Sequence, residues 1–222
     1  MPSATFEKLA TSKKEAFITA FLEEFASKSY KEASISTVVK QLGIAKGSVY
    51  QYFENKMDLF LYLKQYAEQQ KGQYIRQVSR ADCADFWMYL RLLYEQGIAF
   101  DAAHPLETRF LYNLQQQNTP LLQPMIAAWE EQGVVIYTQM IQHEVEQGHF
   151  RKDVTPVAMA QFILAVSNGI SKRLLNQLKA HEQQPNGGLL NEADKVLLMQ
   201  MIDEQIVLLR AAFAPDSEKL NT

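Results

Sequence analysis

The chain has 222 residues, of which 47% are apolar, a formal net charge of −3 and a single cysteine, Cys83. This length allows one domain or two small ones, with enough apolar residues for a core. The acidic balance disfavours a protein that coats nucleic acid non-specifically, but specific binding stays open because salt screens exposed charges beyond about 8–10 Å. The sequence has no signal peptide, no apolar run near ~18 residues and no second cysteine for an internal disulfide. We therefore expect a soluble, cytoplasmic protein with no membrane partner.

The first predicted helix follows a short N-terminal arm. Residues 1–11 are predicted to be loose and solvated, because Lys8 against Glu7 gives too little charge for an arm that enters DNA. Ser12 is predicted to cap the helix, with Glu15 three positions later completing a capping box. An apolar stripe at helical spacing predicts a core face, formed by Phe17, Ile18, Phe21, Leu22 and Phe25.

The segment from residue 34 to residue 53 is predicted to form two short helices joined by a tight turn. Ser34 is a candidate cap for the first helix. Gly43 stands at the turn, where a positive φ is needed. In the second helix, about residues 46–52, a rotation of 100° per residue turns Val49 and Phe53 toward the core. The opposite face then carries small and amide side chains.

A helix with this outward face suits a groove of double-stranded DNA. Ser48 and Gln51 are predicted to hydrogen-bond base edges, since glutamine matches the N6 and N7 atoms of adenine. Side chains at the margins would reach phosphates, which position a protein without specifying sequence. Lys56 would join the N–H groups that open the next helix in an anion site. Ser34 and the N-terminus of its helix could also hold a phosphate, but capping alone would explain Ser34 equally well. The predicted DNA-binding residues are Ser34, Lys46, Gly47, Ser48, Tyr50, Gln51, Tyr52 and Lys56.

The run from Gly43 to Phe60, GIAKGSVYQYFENKMDLF, resembles the DNA-binding signature of the tetracycline-repressor (TetR) family. That signature is G-V-S-x-G-x-(hydrophobic)-Y-x-H-F-x-x-K-x-x-L. Two positions of this run depart from the signature, because Ala45 replaces Ser and Tyr52 replaces His. Before the run, Ser29 replaces the Gly that usually closes the first helix of the family. The resemblance implies a DNA-binding repressor that is a homodimer and responds to a small-molecule effector. An ordinary helical hairpin with a glycine turn is the alternative.

The rest of the chain is predicted to be all helical, giving an all-α fold of about nine helices. A helix from Lys56 to about Val78, capped by Asn55, is predicted to be the only continuous link between two domains. These domains are a helix-turn-helix DNA-binding domain at 11–71 and a larger effector-binding and dimerisation domain at 72–215. The later helices are predicted at 82–104, 106–116, 121–147, 157–182 and 191–213, with a loop at 183–188 and a frayed tail after Pro215.

The last two helices carry apolar stripes wider than one partner helix needs. Gly169 in mid-helix would allow close backbone approach. Pairing with a second copy would form a four-helix bundle across a C2 interface, whereas burial within one chain is the alternative. The predicted interface residues are Phe162, Val166, Ile170, Met201, Ile202 and Leu209.

Aromatic residues of the middle helices are candidates for an apolar effector cavity, although an ordinary core role is the commoner fate of each. They are Trp87, Tyr94, Phe110, Trp129 and Tyr137. A small hydrophobic or aromatic effector is the expected ligand of such a cavity.

Two other classes of function compete with a regulator. An enzyme is disfavoured, because the chain has no HExxH, G-x-S-x-G or phosphate-binding glycine loop. The four histidines share no ligand-like spacing, so we expect no metal and no cofactor. The second alternative is a helical protein-interaction module whose helix-turn-helix has been repurposed.

Overall fold

The computed structural model describes residues 2–182 and 191–215, and this part of the chain folds into ten α-helices and one short 3-10 helix. The all-helical prediction is therefore confirmed for the described residues. The helices are α1 (Ala4–Glu7), α2 (Thr11–Ser27), α3 (Ile35–Leu42), α4 (Lys46–Tyr52), α5 (Lys56–Ile75), α6 (Phe86–Ala103), α7 (Pro105–Gln115), α8 (Gln123–Glu146), α9 (Pro156–Glu182) and α10 (Glu192–Phe213), and the 3-10 helix is Arg80–Asp82.

The chain divides into two compact units. The first unit contains residues 1–74 and 103–123, and the second contains residues 75–102 and those from 124 onward. The polypeptide therefore passes from one unit to the other three times. The sequence predicted a single continuous link through the helix that begins at Lys56. The first unit also gains α7, a helix that the sequence placed in the later domain.

The N-terminal segment is folded, so the prediction of a loose arm was wrong. Ser3 caps α1, and its backbone N–H donates to the Tyr52 carbonyl oxygen at 2.8 Å. Phe6 is fully buried. Its ring centroid lies 5.0–5.6 Å from four aromatic rings, those of Phe17, Tyr52, Phe53 and Tyr62. Burial of one such ring stabilises the fold by about 1.5–3 kcal/mol. The prediction of a loose arm considered the charge of the segment and overlooked this contribution.

Helix α2 begins earlier than its capping signal indicated. Ala10 is the N-cap residue and makes no side-chain cap, so the predicted box of Ser12 and Glu15 is absent. The Ala10 carbonyl oxygen accepts from the N–H groups of Lys13 and Lys14, which places Ser12 inside the first turn. The predicted apolar stripe of α2 is buried as expected.

The second unit is built around one core cluster from four helices and the turn after α8. Its members are Phe86, Trp87, Leu90, Ile141, Phe150, Met159, Ala160, Ile163, Leu209 and Phe213. The helices match the predicted segments with small shifts at their ends. Helix α6 starts at Phe86 instead of residue 82, because Arg80–Asp82 forms a 3-10 turn and Asp85 caps the Met88 N–H at 2.7 Å.

Two termini in this unit follow local signals closely. Gly148, two residues after the end of α8, has a φ of +78°. Asn191 is the N-cap residue of α10 and forms a complete capping box. The predicted loop at 183–188 and the predicted frayed tail after residue 215 lie outside the described residues. No helix in the described ranges is both long and apolar enough to cross a membrane.

Candidate nucleic-acid interface

Helix α3 and the turn after it adopt the predicted geometry. Ser34 is the N-cap residue, and its Oγ accepts from the Thr37 N–H at 3.3 Å. Gly43 ends the helix with a φ of +66°, a left-handed conformation that glycine adopts without a Cβ penalty. The N–H groups of Gly43 and Ile44 close the turn on the carbonyl oxygens of Lys40 and Val39. The direction in which α4 leaves α3 is thus set by the backbone of the turn.

The side chains of α4 separate into an inner and an outer face. Val49 on α4 and Phe53, which follows it, are each 1% exposed and therefore lock the helix onto the core of the first unit. Lys46, Gly47 and Gln51 are exposed. Two further residues of the predicted set are also accessible, since Tyr50 is 48% exposed and Ser48 is half-buried. The outer face is therefore open to a partner along most of its length.

The start of α4 lacks a side-chain cap. Ala45 occupies the N-cap position with extended backbone angles and makes no side-chain hydrogen bond to the helix. The family pattern has Ser at this position, whose hydroxyl could cap the helix, whereas the methyl group of Ala45 cannot. The first turn of α4 is held instead by its backbone, since the Ser48 N–H donates to the Ala45 carbonyl oxygen at 3.0 Å.

Tyr52 joins α4 to α1 and α2. Its ring is half-buried, and the ring centroid lies 5.6 Å from that of Phe6 and 5.7 Å from that of Phe17. The residue thus supports the position of α4 from inside the unit. Its predicted phosphate contact stays a prediction.

Lys56 makes contacts within the chain that the sequence did not reveal. Its Nζ donates to the Ala33 carbonyl oxygen at 2.5 Å and lies 4.8 Å from the centre of the Tyr30 ring. Burial lowers the pKa of Lys56 below its ordinary value, although the nearby Glu24 opposes the shift. The ammonium therefore holds the turn before α3, and a phosphate that Lys56 contacts would have to share the ammonium with the Ala33 carbonyl oxygen. No local pattern indicates this pairing, because the partners lie 23 residues apart in sequence.

Glu24 is a second residue that sequence reasoning missed. Its carboxylate accepts from Lys28 Nζ at 2.9 Å and from the Ser34 backbone N–H at 2.7 Å. Burial alone would raise the pKa of Glu24, but those hydrogen bonds and the charges of Lys28 and Lys56 outweigh it and hold this pKa below its ordinary value. Glu24 thus links α2 to the residue that caps α3. A single acid on a helix face gives no sequence signal of such a contact.

The predicted effector residues are divided between the two units. Phe110 belongs to the first unit, where it is 1% exposed and its ring packs 5.3 Å from that of Phe60. Trp87 lies in the core cluster of the second unit. Trp129 belongs to the same unit and is half-buried. Tyr94 and Tyr137 pack against the core cluster.

Both tyrosines place a hydroxyl group in this interior. The Tyr94 hydroxyl lies 2.5 Å from Ser167 Oγ. Burial raises the pKa of Tyr94, and burial together with Tyr94 and Tyr89 raises that of Tyr137. Both phenols are therefore neutral hydrogen-bonding groups at physiological pH.

An open groove of about 720 Å³ lies between α6 and α10 in the second unit. Its apolar lining includes Ile98, Val196 and Met199, with carboxylates such as Glu95 and Asp203 at its sides. None of the five predicted effector residues lines this groove. Sequence reasoning missed it because its residues come from two helices about a hundred positions apart.

The predicted interface residues on α9 and α10 differ in their exposure. Ile170, Ile202 and Leu209 are buried inside the protomer, so they offer no side-chain surface to a second copy. Phe162 is 49% exposed, and Val166 and Met201 are half-buried. The two helices also expose large apolar side chains other than the six interface residues named above, namely Val157, Val196, Leu197, Val207 and Leu208.

Residues 17–63 match the profile of the family described as bacterial regulatory proteins, tetR family. This range includes the whole of α3, the glycine turn and α4, whose geometry is that of a helix-turn-helix. Residues 17–63 are therefore a DNA-binding domain of the TetR type. The chain is a DNA-binding transcriptional regulator, and the proteins of this family are regulators rather than enzymes.

Individual relatives agree with this assignment. The fatty acid metabolism regulator protein of Bacillus subtilis (strain 168) is 34% identical over 61 residues, which cover 28% of this chain and 30% of that relative. A TetR family transcriptional regulator from Chloroflexus aurantiacus is 28% identical over 96% of this chain and 99% of its own, with a TM-score of 0.77. FadR from Bacillus subtilis in complex with stearoyl-CoA has a similar fold, at 18% identity over 87% of this chain and 97% of its own, with a TM-score of 0.67.

Proposed function

We propose that this protein is a homodimeric repressor whose α4 enters the major groove of an operator and which a small apolar effector releases from DNA. The observation that carries the proposal is the division of α4 into two faces. Val49 and Phe53 anchor one face in the core, while Lys46, Gly47 and Gln51 form an exposed outer face.

Each exposed side chain of α4 suits one kind of DNA contact. Gln51 and Ser48 would hydrogen-bond base edges and so determine the sequence that is bound. Lys46 and Tyr50 would contact phosphates and so contribute affinity without discrimination. Lys56 contributes less than the sequence suggested, because its ammonium already binds the Ala33 carbonyl oxygen.

Gly47 supports a close approach of α4 to a partner. Glycine in a helix costs about 1 kcal/mol relative to alanine. Apart from the adjacent residues and the backbone of α4 itself, no atom of the described chain lies within 4 Å of the position that a Cβ would occupy at Gly47, so internal packing does not require glycine there. A DNA backbone or base edge at the outer face would require it.

A second copy of the chain is the proposed partner of α9 and α10. Phe162 on α9 and Leu197 and Leu208 on α10 are apolar and exposed in the protomer. An isologous contact through these helices would cover them and give a C2 dimer. Such a dimer presents two recognition helices to half-sites roughly 34–36 Å apart.

The effector is proposed to bind the second unit. The groove between α6 and α10 has a volume of about 720 Å³ and a largely apolar lining, which suits a small hydrophobic molecule. By thermodynamic linkage, the effector must weaken operator binding by the factor by which the operator weakens effector binding. Stearoyl-CoA is a suitable first probe because FadR of Bacillus subtilis binds it.

The direct test is equilibrium binding to duplex DNA from the region upstream of the protein's own coding sequence, measured by fluorescence anisotropy. A DNA-binding regulator gives a clearly negative slope of log affinity against log salt. It also prefers one duplex of the region over scrambled duplexes of equal length. A slope near zero and equal affinity for all duplexes would contradict the proposal and favour a protein-interaction module.

A further inference from the structure

Two amide side chains from α7 and its C-terminal end lie against the end of α2 and the turn that follows it. Asn113 Nδ2 donates to the carbonyl oxygens of Phe25 and Lys28, at 2.7 and 2.8 Å. Gln117 Oε1 accepts from the Tyr30 backbone N–H at 3.0 Å. All five residues belong to the first unit. We call Asn113 and Gln117 the amide clamp.

The orientation of the clamp is fixed by further hydrogen bonds. Gln117 is 8% exposed, and its Nε2 donates to both the carbonyl oxygen and Oδ1 of Asn113, at 3.2 and 3.1 Å. Because Oδ1 of Asn113 accepts this bond, its Nδ2 is directed at α2. Gln123 Nε2 in turn donates to the Gln117 carbonyl oxygen at 2.8 Å.

Asn113 adds two donors at the end of α2, where Ser27 Oγ already donates to the carbonyl oxygens of Glu23 and Glu24. The last carbonyl groups of a helix have no partner within it, and many helices satisfy them through a residue in the left-handed conformation. Helix α2 is followed instead by Lys28 with extended backbone angles. Among the described residues, positive φ occurs only at Gly43 and Gly148. The Asn113 amide therefore takes the place of a backbone motif at this helix end.

The turn at residues 28–34 leads directly into α3, so its path sets the direction of that helix. The clamp holds the first half of this turn. Glu24 and Lys56 hold the second half, through the Ser34 N–H and the Ala33 carbonyl oxygen. Side chains from α2, α5 and the α7 segment thus fix the backbone immediately before the helix-turn-helix.

We infer that Asn113 and Gln117 are positioning residues for DNA recognition, which hold α3 and α4 in the orientation that fits the operator without touching DNA. The inference rests on the proposed function. It assigns a function in DNA recognition to a segment that lies about 60 residues beyond the recognition helix in sequence. The contacts act through the turn, so their loss tilts the recognition helix and leaves its outer side chains intact.

The test compares two variants with matched controls. Asn113→Asp removes both donated hydrogen bonds, with Gln115→Glu at an exposed position of α7 as the control for added charge. Gln117→Ala removes the acceptor for Tyr30, with Gln115→Ala as the control for truncation. Affinity is measured on a duplex from the protein's own upstream region and on a scrambled duplex, each over a series of salt concentrations. Hydrogen exchange reports on the Tyr30 amide.

We expect both clamp variants to lose about tenfold in affinity for the upstream duplex, the effect of one or two hydrogen bonds. Affinity for the scrambled duplex and the salt slope should stay at the wild-type values, because the phosphate-contacting side chains remain. The Tyr30 amide should exchange faster in Gln117→Ala than in Gln115→Ala.

Two results would overturn the inference. One is wild-type affinity of both clamp variants for the upstream duplex. The other is an equal loss on both duplexes, including a loss through unfolding, which would assign the clamp to stability alone. If the wild-type protein itself fails to distinguish the two duplexes, it is the proposed function that fails.

Discussion

Gly47 is a residue whose cost to the helix has no internal explanation. Within the described chain its Cβ position is open, and so is that of Gly97 in α6. Replacing either glycine by alanine should therefore raise the free energy of unfolding by about 0.5–1 kcal/mol.

The two glycine variants should differ in DNA binding. Gly47→Ala adds a methyl group at the surface proposed to meet DNA, so we expect a loss of roughly tenfold in operator affinity, the cost of overpacking by one methyl group. Gly97→Ala should bind as the wild type does. Denaturant titrations and anisotropy titrations on both variants provide the measurement. Unchanged DNA affinity of Gly47→Ala would show that α4 does not approach its partner closely.

Glu24 gives a pH dependence to the first unit. Since its pKa is lowered in the folded state, its stabilising contribution is present above the ordinary value of 4.5 and is lost as the pH falls through the lowered value. Glu24→Gln should cost about 1–3 kcal/mol at neutral pH and flatten the loss of stability below pH 4.5.

Urea titrations at neutral and acidic pH check this expectation. Glu23→Gln is the matched control, because Glu23 is the exposed neighbour of Glu24 on α2. The interpretation fails if the two variants lose stability to the same extent, or if Glu24→Gln retains the full acid sensitivity of the wild type.

At the scale of elements, local signals predicted what is decided locally. Gly43 and Ser34 were predicted from turn and cap chemistry that depends on a few neighbouring residues, and the structure has both as expected. The exposed and buried faces of α4 followed from helical periodicity. Contacts between distant parts of the chain were not predictable, because neither the Lys56–Ala33 pair nor the amide clamp leaves any pattern in its local sequence.

Helix α1 is the clearest case of a structure decided by distant contacts. Its four residues could not form a stable helix alone. Its position depends on the burial of Phe6 among aromatic rings of α2, α4, α5 and the residue that follows α4. Phe6→Ala should destabilise the protein by about 3–5 kcal/mol. Thermal and urea unfolding measure the effect, with exposed Lys8→Ala as the control. Equal stability of the two variants would indicate that the segment is a loose arm, as its charge suggested.

At the scale of the whole molecule, the exposed apolar side chains of α9 and α10 are the basis for the proposed dimer. Leu208 is 70% exposed in the protomer, so a charge there does not disturb the core of the second unit. Leu208→Glu should therefore leave a folded monomer, because a buried unpaired charge at a C2 interface is repeated in both subunits.

Sedimentation equilibrium measures the mass of this variant, and circular dichroism checks its fold. Leu121→Glu is the control, since Leu121 is also exposed, at 61%, and belongs to the first unit and not to α9 or α10. A dimer that persists in Leu208→Glu would place the interface elsewhere.

The central claim is that the outer face of α4 reads base sequence. It is tested most directly by the affinities of Gln51→Ala and Lys46→Ala for the upstream duplex and for single-base variants of it. We expect Gln51→Ala to lose discrimination at one base pair by about 1–3 kcal/mol with an unchanged salt slope. Lys46→Ala should weaken binding to all duplexes equally and make the salt slope less steep by about one unit. Identical behaviour of the two variants, or wild-type discrimination in Gln51→Ala, would contradict the claim.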